Sequence, residues 1–209
     1  MSYRKEEVNL DDRISIEDTT YIVTDEERTD ATIILFNKPL GYVVSKSDPH
    51  NKTIYDILPE WRENKYYYIW RLDKDSHWLL ILTDSSKLVS HFSHPRYMHK
   101  KQYIIQTTSA LSPADITAGL RGVSYTDADT GETMILDWQS CTPMGNNTYK
   151  ITLHEWKKRH IRRLCSVLHT HVLDLQRVGF EPWELWNIWL GERFTLSLDW
   201  QDLENLLKN

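Results

Sequence analysis

YYYIWRLDKDSHWLLILT, residues 66–83, sets two apolar runs, YYYIWRL (66–72) and WLLILT (78–83), around a charged segment at 73–77. Runs of this length, rich in aromatic and branched side chains, predict buried strands. The segment between them puts an acid, Asp73, and a guanidinium, Arg71, at a strand end, where loops hold reactive groups on a rigid scaffold. Upstream, TIILFNK (32–38) and GYVVSK (41–46) bracket Pro39-Leu40-Gly41 and predict strand, turn, strand. TIYDIL (53–58) suits a short helix stopped by Pro59. Downstream, Asp84 is placed to cap a helix over SSKLVSHF that ends before Pro95. HKKQYIIQTT (99–108) alternates as a strand, with Lys101, Tyr103 and Ile105 on one face. Pro113 opens a short helix closing at 119–122, and 123–153 predicts two or three antiparallel strands. RHIRRLCSVL is the clearest helix: Ile161, Leu164, Cys165 and Leu168 recur at i, i+3, i+4 and i+7, while Arg159, Arg162, Arg163 and Ser166 take the other side. A strand at 172–178, an irregular Trp-rich stretch and a helix at 200–207 complete the pattern. Strands outnumber helices and are mostly hairpin-linked, so the expected class is α+β with a largely antiparallel sheet.

The 209 residues, 40% hydrophobic and 26% charged, have the composition of an ordinary soluble globular chain. No apolar run approaches the roughly 18 residues a membrane helix needs. The first residues are acidic and lack the apolar stretch of a secretory signal, and two cysteines, Cys141 and Cys165, are too few for a disulfide framework. A reducing, cytoplasmic setting without a membrane partner is the expectation. Net charge is -5, but residues 1–33 carry 4 basic and 10 acidic side chains, so the rest is near neutral and its positive charge can be local. Lys157, Lys158, Arg159, His160, Arg162 and Arg163 form such a local run, suited to phosphates. His91, His94 and His99 straddle a helix end and Pro95 in a spacing that fits no zinc pattern, and no glycine-rich phosphate loop is present. Neither a metal nor a cofactor is expected.

Six ordered blocks carry a resemblance: LFNKPLGYVVSKSDP (35–49), TIYDILPE (53–60), RLDKDSHWLLILT (71–83), LVSHFSHPRYMHKKQYIIQ (88–106), LHEWKKRHIRRL (153–164) and LQRVGFEPWELWNIWLGER (175–193). In sequence and spacing they resemble the successive motifs of the RsuA-type ribosomal RNA pseudouridine synthases, over roughly residues 32–196. The resemblance implies a pseudouridine synthase fold of two mixed α/β halves sharing a largely antiparallel sheet, with the active cleft across its middle. It implies a catalytic domain at 32–209, with 1–31 as an acidic lead-in or the remnant of a small RNA-binding domain. It further implies a monomeric enzyme that turns one uridine of ribosomal RNA, the large subunit being favoured, into its carbon-glycosidic isomer.

Carried over residue by residue, Asp73 matches the essential aspartate of the RLD block, Tyr103 the tyrosine of the K-x-Y block, and Arg162 the basic residue of the block written here RHIRRL. A carboxylate suits attack on, or stabilisation of, the sugar. Arg162 is expected to pair with Asp73 and hold it ionised. Tyr103 offers a flat ring to the base and a hydroxyl for proton transfer. The target base must leave its stack, and Arg71 is a candidate to fill the vacated space. Lys38, Lys101, Lys157, Lys158, Arg159 and Arg163 join Arg71 as candidate RNA contacts. The rival reading is a homologue that binds RNA or assists ribosome assembly without turnover.

The sequence departs from the family pattern in one respect: Trp70, Trp78, Trp156 and Trp186 stand where that pattern has glycine, and the chain holds 9 Trp against 7 Gly. An indole is the worst replacement where backbone needs positive φ or close approach. We hypothesise a single cause for all four, UGA codons that the source organism reads as glycine and that have been translated as tryptophan; the alternative is that the tryptophans are genuine and crowd the cleft around Asp73, which favours the inactive homologue.

Overall fold

A computed structural model of the chain describes residues 13–16, 19–22, 30–63, 66–155, 157–184 and 191–208. Two short strands, β1 (Arg13–Ile16) and β2 (Thr19–Ile22), form a hairpin of their own. The main sheet is nine-stranded. It comprises β3 (Ala31–Lys38), β4 (Tyr67–Ile69), β5 (His77–Thr83), β6 (Lys101–Thr107), β9 (Ser140–Gly145), β10 (Thr148–Leu153), β11 (Val172–Phe180), β12 (Trp183–Glu184) and β13 (Arg193–Leu198). A separate pair, β7 (Val123–Thr126) and β8 (Thr133–Leu136), packs against the helix that follows β10. Helices α1 (Ile54–Ile57), α2 (Glu60–Glu63), α3 (Ser86–Ser93), α4 (Pro113–Arg121), α5 (His160–Val167) and α6 (Trp200–Lys208) lie between or after the strands.

Sheet order is β13-β3-β5-β11-β6-β10-β9, with β4 added to β5 and β12 to β11. Every pairing in it is antiparallel except that of β11 with β5, which is parallel and only two residues long: Gln176 faces His77 and Arg177 faces Trp78. That short seam joins two halves. One is built on β3 and β5, the other on β6, β10 and α5.

The β3–β5 half is covered on both faces, which is why its strands read as continuous apolar runs. Ile33, Leu35, Leu79 and Ile81 pack one way with Leu88 and Phe92 of α3. Ile34, Phe36, Leu80 and Leu82 pack the other way with Ile54 and Trp61. In the other half, Tyr103, Ile105 and Ile151 meet Ile161, Leu164 and Cys165 of α5, the helix stripe anticipated from the sequence. Gly119 of α4 is required by close approach: a Cβ there would collide with the ring atoms of Trp138.

Four local expectations need correction. Residues 41–46 make no strand, because the turn at Gly41, with φ 87°, leads into a loop whose contact with the next segment is the single bridge Val43–Thr53. Ser85, rather than Asp84, caps α3 by accepting from the Leu88 N–H, since Asp84 Oδ1 is taken by the Thr32 N–H at 2.8 Å. Residues 123–153 hold four strands, β7 to β10. Finally, β13 pairs with β3 along six residues where no strand was anticipated.

Trp70 and Trp78 both adopt positive φ, 53° and 78°, the backbone region that favours glycine. Trp156 and Trp186 lie outside the described residues.

Candidate active site

The segment from 70 to 76 leaves β4, turns, and re-enters the sheet as β5. Its turn is held by the Ser76 N–H donating to the Asp73 carbonyl at 3.1 Å and by the Gly41 N–H donating to the Lys74 carbonyl at 2.9 Å. From beneath, the fully buried Lys38 ammonium donates to the Ser76 carbonyl at 2.8 Å and the Pro39 carbonyl at 3.0 Å. These contacts aim Asp73 into a cleft of about 370 Å³ lined by Trp70, Arg71, Asp73 and Lys158. Asp73 Oδ2 is buried and has no hydrogen-bond partner among the described residues. A buried carboxylate oxygen left without a donor is costly. Such oxygens occur where a ligand group is meant to meet them.

Tyr103, carried by β6, is 1% exposed and is not among the residues that line this cleft. Burial pushes its hydroxyl up to about 12; the neighbouring Arg177, also hydrogen-bonded to it, pulls the other way, and the charge of Asp73 adds to the rise. The phenol is therefore neutral at physiological pH. Lys38 is lowered by burial to about 8, with Asp73 and Asp75 opposing that fall and Arg177 assisting it.

The expected pair of Arg162 with Asp73 is not formed. Arg162, at the start of α5, places Nε 3.3 Å from Asp75 Oδ2, donates from Nη2 to the Asp75 carbonyl at 2.6 Å, and donates from Nη1 to the Val172 carbonyl at 3.0 Å. Arg159 takes the same Asp75 carboxylate at 3.1 and 3.3 Å. The reason is register: the turn closed at Ser76 projects Asp75, two residues on, toward α5, and leaves Asp73 facing the cleft. Burial works against ionisation of Asp75, but the Arg159 hydrogen bonds and the charges of Arg162 and Arg159 outweigh it and hold the carboxyl below its ordinary value.

The remaining candidates separate by exposure. Arg71 and Lys158 are exposed at the cleft. Lys157 is half-buried and donates to the Ile135 carbonyl at 2.6 Å, while Arg163 is tied to Asp127 and lies 5.0 Å from the Tyr125 ring. Lys101 is a correction: it is 2% exposed, donates to the His99 and His154 carbonyls at 2.9 and 3.0 Å, and cannot reach a phosphate from there. Lys38 is a correction for the same reason. Both belong to strand positions whose apolar neighbours point inward, so the ammonium is carried in with them and satisfied by backbone oxygens. Of the three histidines, His91 and His99 are buried among Phe92, Tyr97 and Phe180, and His94 accepts from the Arg96 N–H at 3.2 Å.

Two residues were missed by sequence reasoning. Asp75 is one charge among several in residues 73–77 and carries no distinguishing signal. Arg177 has one: in VLDLQRVGF the inward positions are Leu175, Arg177 and Gly179, and a guanidinium in that series breaks the apolar period.

Residues 32–167 match the RNA pseudouridylate synthase family. The chain is 29% identical over 168 residues to the ribosomal large subunit pseudouridine synthase B of Pseudomonas aeruginosa, covering 78% of this chain and 42% of that protein. To the dual-specificity RNA pseudouridine synthase RluF of Escherichia coli it is 28% identical over 182 residues, covering 87% and 58%. It spans about half the length of these curated relatives. A crystal structure of a pseudouridylate synthase shares the fold, with a TM-score of 0.75 at 23% identity over 93% of this chain and 82% of the other. With well over half of its length matched by the family, and a sheet of two halves meeting at a carboxylate-bearing cleft, the chain belongs to the RNA pseudouridylate synthases.

Proposed function

We propose that this protein isomerises a uridine of ribosomal RNA to pseudouridine at Asp73, with 32–209 as the catalytic unit. The reaction breaks the bond between N1 of uracil and C1′ of ribose, turns the base, and joins C5 to C1′. The proton lost from C5 is balanced by one gained at N1, so no electrons enter or leave and no cofactor is required. Asp73 acts on the sugar, as nucleophile at C1′ or as the base that takes the 2′ proton. Either role needs a carboxylate oxygen with an unoccupied lone pair, and the observation that carries the reading is Asp73 Oδ2, buried at the cleft without a donor among the described residues. Tyr103 supplies a neutral phenol behind the base. Arg71 and Lys158, exposed at the rim, hold the phosphates flanking an extruded nucleotide. Large-subunit RNA is the substrate indicated by the activity named for the Pseudomonas relative.

The test uses ribosomal RNA transcripts labelled with tritium at C5 of uridine. Isomerisation releases one tritium to water per event. Release confined to one site of large-subunit RNA is the expected result, and no release from either subunit's RNA refutes the proposal.

A further inference from the structure

Arg177 is 1% exposed. A guanidinium is placed that deep only when its donors are met. Its Nε donates to the Leu79 carbonyl at 2.8 Å, its Nη2 to the Trp70 carbonyl at 3.0 Å, and its head also hydrogen-bonds the Tyr103 hydroxyl. These acceptors are neutral oxygens, so Arg177 does not serve here to neutralise a carboxylate. Their positions are informative. Trp70 and Leu79 flank the segment that carries Asp73, one at its entry and one where it has become β5. Tyr103 lies directly across from Arg177 in the antiparallel pairing of β6 with β11, and Trp78 directly across in the parallel pairing of β5 with β11. Arg177 thus stands at the seam where the half bearing Asp73 meets the half bearing Tyr103.

Building on the function proposed above, we propose that Arg177 is a positioning residue for the isomerisation, fixing the Asp73 segment and the Tyr103 hydroxyl in one frame. The planar fork of arginine suits this, because it offers five donors in fixed directions, while lysine offers a point charge on a flexible stem. By donating to the phenolic oxygen, Arg177 fixes the place of the Tyr103 hydroxyl relative to the Asp73 segment. It does not reach the cleft itself: Trp70, Arg71, Asp73 and Lys158 line that space.

The experiment measures single-turnover rate, RNA dissociation constant and melting temperature for the full chain carrying Arg177→Lys, Arg177→Gln, Tyr103→Phe, or either Arg177 substitution together with Tyr103→Phe. Misplacing reacting groups by about 1 Å costs roughly 100-fold, so Arg177→Lys should lower the turnover rate by about that factor while RNA affinity stays unchanged. Tyr103→Phe should then cost much less in the Arg177→Lys background than in the wild type, since the hydroxyl is already misaligned. A rate for Arg177→Lys within about threefold of wild type, or losses that simply multiply in the double variant, overturns the proposal. So does failure of both Arg177 variants to fold, which would make the residue a purely structural one. Absence of turnover by the wild type refutes the assigned function instead, and is a separate outcome.

Discussion

Around β10 and α5 the interior is built from Tyr149, Ile151, Leu153, Ile161 and Leu164, and local signals agree with one another: the apolar stripe of α5 faces the sheet, and α4 begins with a Ser112–Asp115 capping box behind Pro113. Around residues 70–79 they conflict. Two tryptophans take left-handed backbone, the cations Lys38, Lys101 and Arg177 are buried on backbone oxygens or a phenol, and a carboxylate oxygen has no donor among the described residues. Trp70 is held there by its indole N–H donating to the Phe92 carbonyl at 2.6 Å and by the Lys101 ammonium 4.5 Å from its ring. The contrast teaches where the molecule is specified by packing and where it is specified by a reaction. In the first region left-handed non-glycine backbone stays in turns and at the ends of α5, as at Arg159 and His169, and the interior keeps the local rules; in the second the departures are concentrated around one carboxylate, as expected where groups must stay available to a substrate.

Replacing Asp73 with Asn gives the sharpest break between the regions. Tritium release should fall by about 1,000-fold or more. RNA affinity in filter binding should stay within about threefold, since the amide keeps the shape and loses the nucleophile. Parallel loss of binding would move Asp73 from chemistry to recognition.

The tryptophans come next in size. Glycine at 70, 78, 156 and 186 should raise turnover on the order of tenfold or more by opening the space beside Asp73, and should raise the melting temperature by removing left-handed strain of about 1 to 2 kcal/mol at each of residues 70 and 78. The coding DNA checks the origin: UGA at these four codons supports glycine in the protein as its own cell makes it, and UGG at all four refutes that.

In the packed region the counterpart is Gly119→Ala. Its Cβ would collide with Trp138, an overpacking cost of about 1 to 3 kcal/mol. Thermal melting should drop while single-turnover rate in the folded protein is unchanged.

A smaller effect links the regions through Asp75. Its carboxyl is held below its ordinary value in the folded protein, so its grip on Arg159 and Arg162 is fully present above the unfolded value near 4 and fades as pH falls through the folded one. Melting curves from pH 6 downward should show no loss from this pair until below about pH 4, and Asp75→Asn should flatten the fall that follows. The smallest change is Lys158→Ala, which should reduce the salt slope of RNA binding by about 0.7 to 0.9 and leave chemistry alone.

Much of this was legible in residue order. A strand buried on both faces shows itself as an unbroken apolar run, and helix α5 shows itself as a 3.6-residue stripe, because burial of a face is a local, periodic demand. An acid at a strand end was visible as a candidate, and six ordered motifs identified the family. Residue order did not reveal β13, whose sequence RFTLSL is largely exposed and becomes a strand by pairing with β3 more than 150 positions away. Nor did it reveal which charges meet. Arg162 and Asp75 are 87 positions apart, and Arg177 and the Trp70 carbonyl 107. Periodicity says which way a side chain faces, but a hydrogen bond is decided within a few tenths of an ångström by how distant segments register. The sequence by itself thus determined the buried central strands, the basic helix and the family, and marked the acid at position 73 as a candidate. Only the tertiary structure decided that Arg162 serves Asp75, that Lys38 and Lys101 lie inside, and that Arg177 stands at the seam, because each is a contact between elements whose relative placement no local pattern encodes.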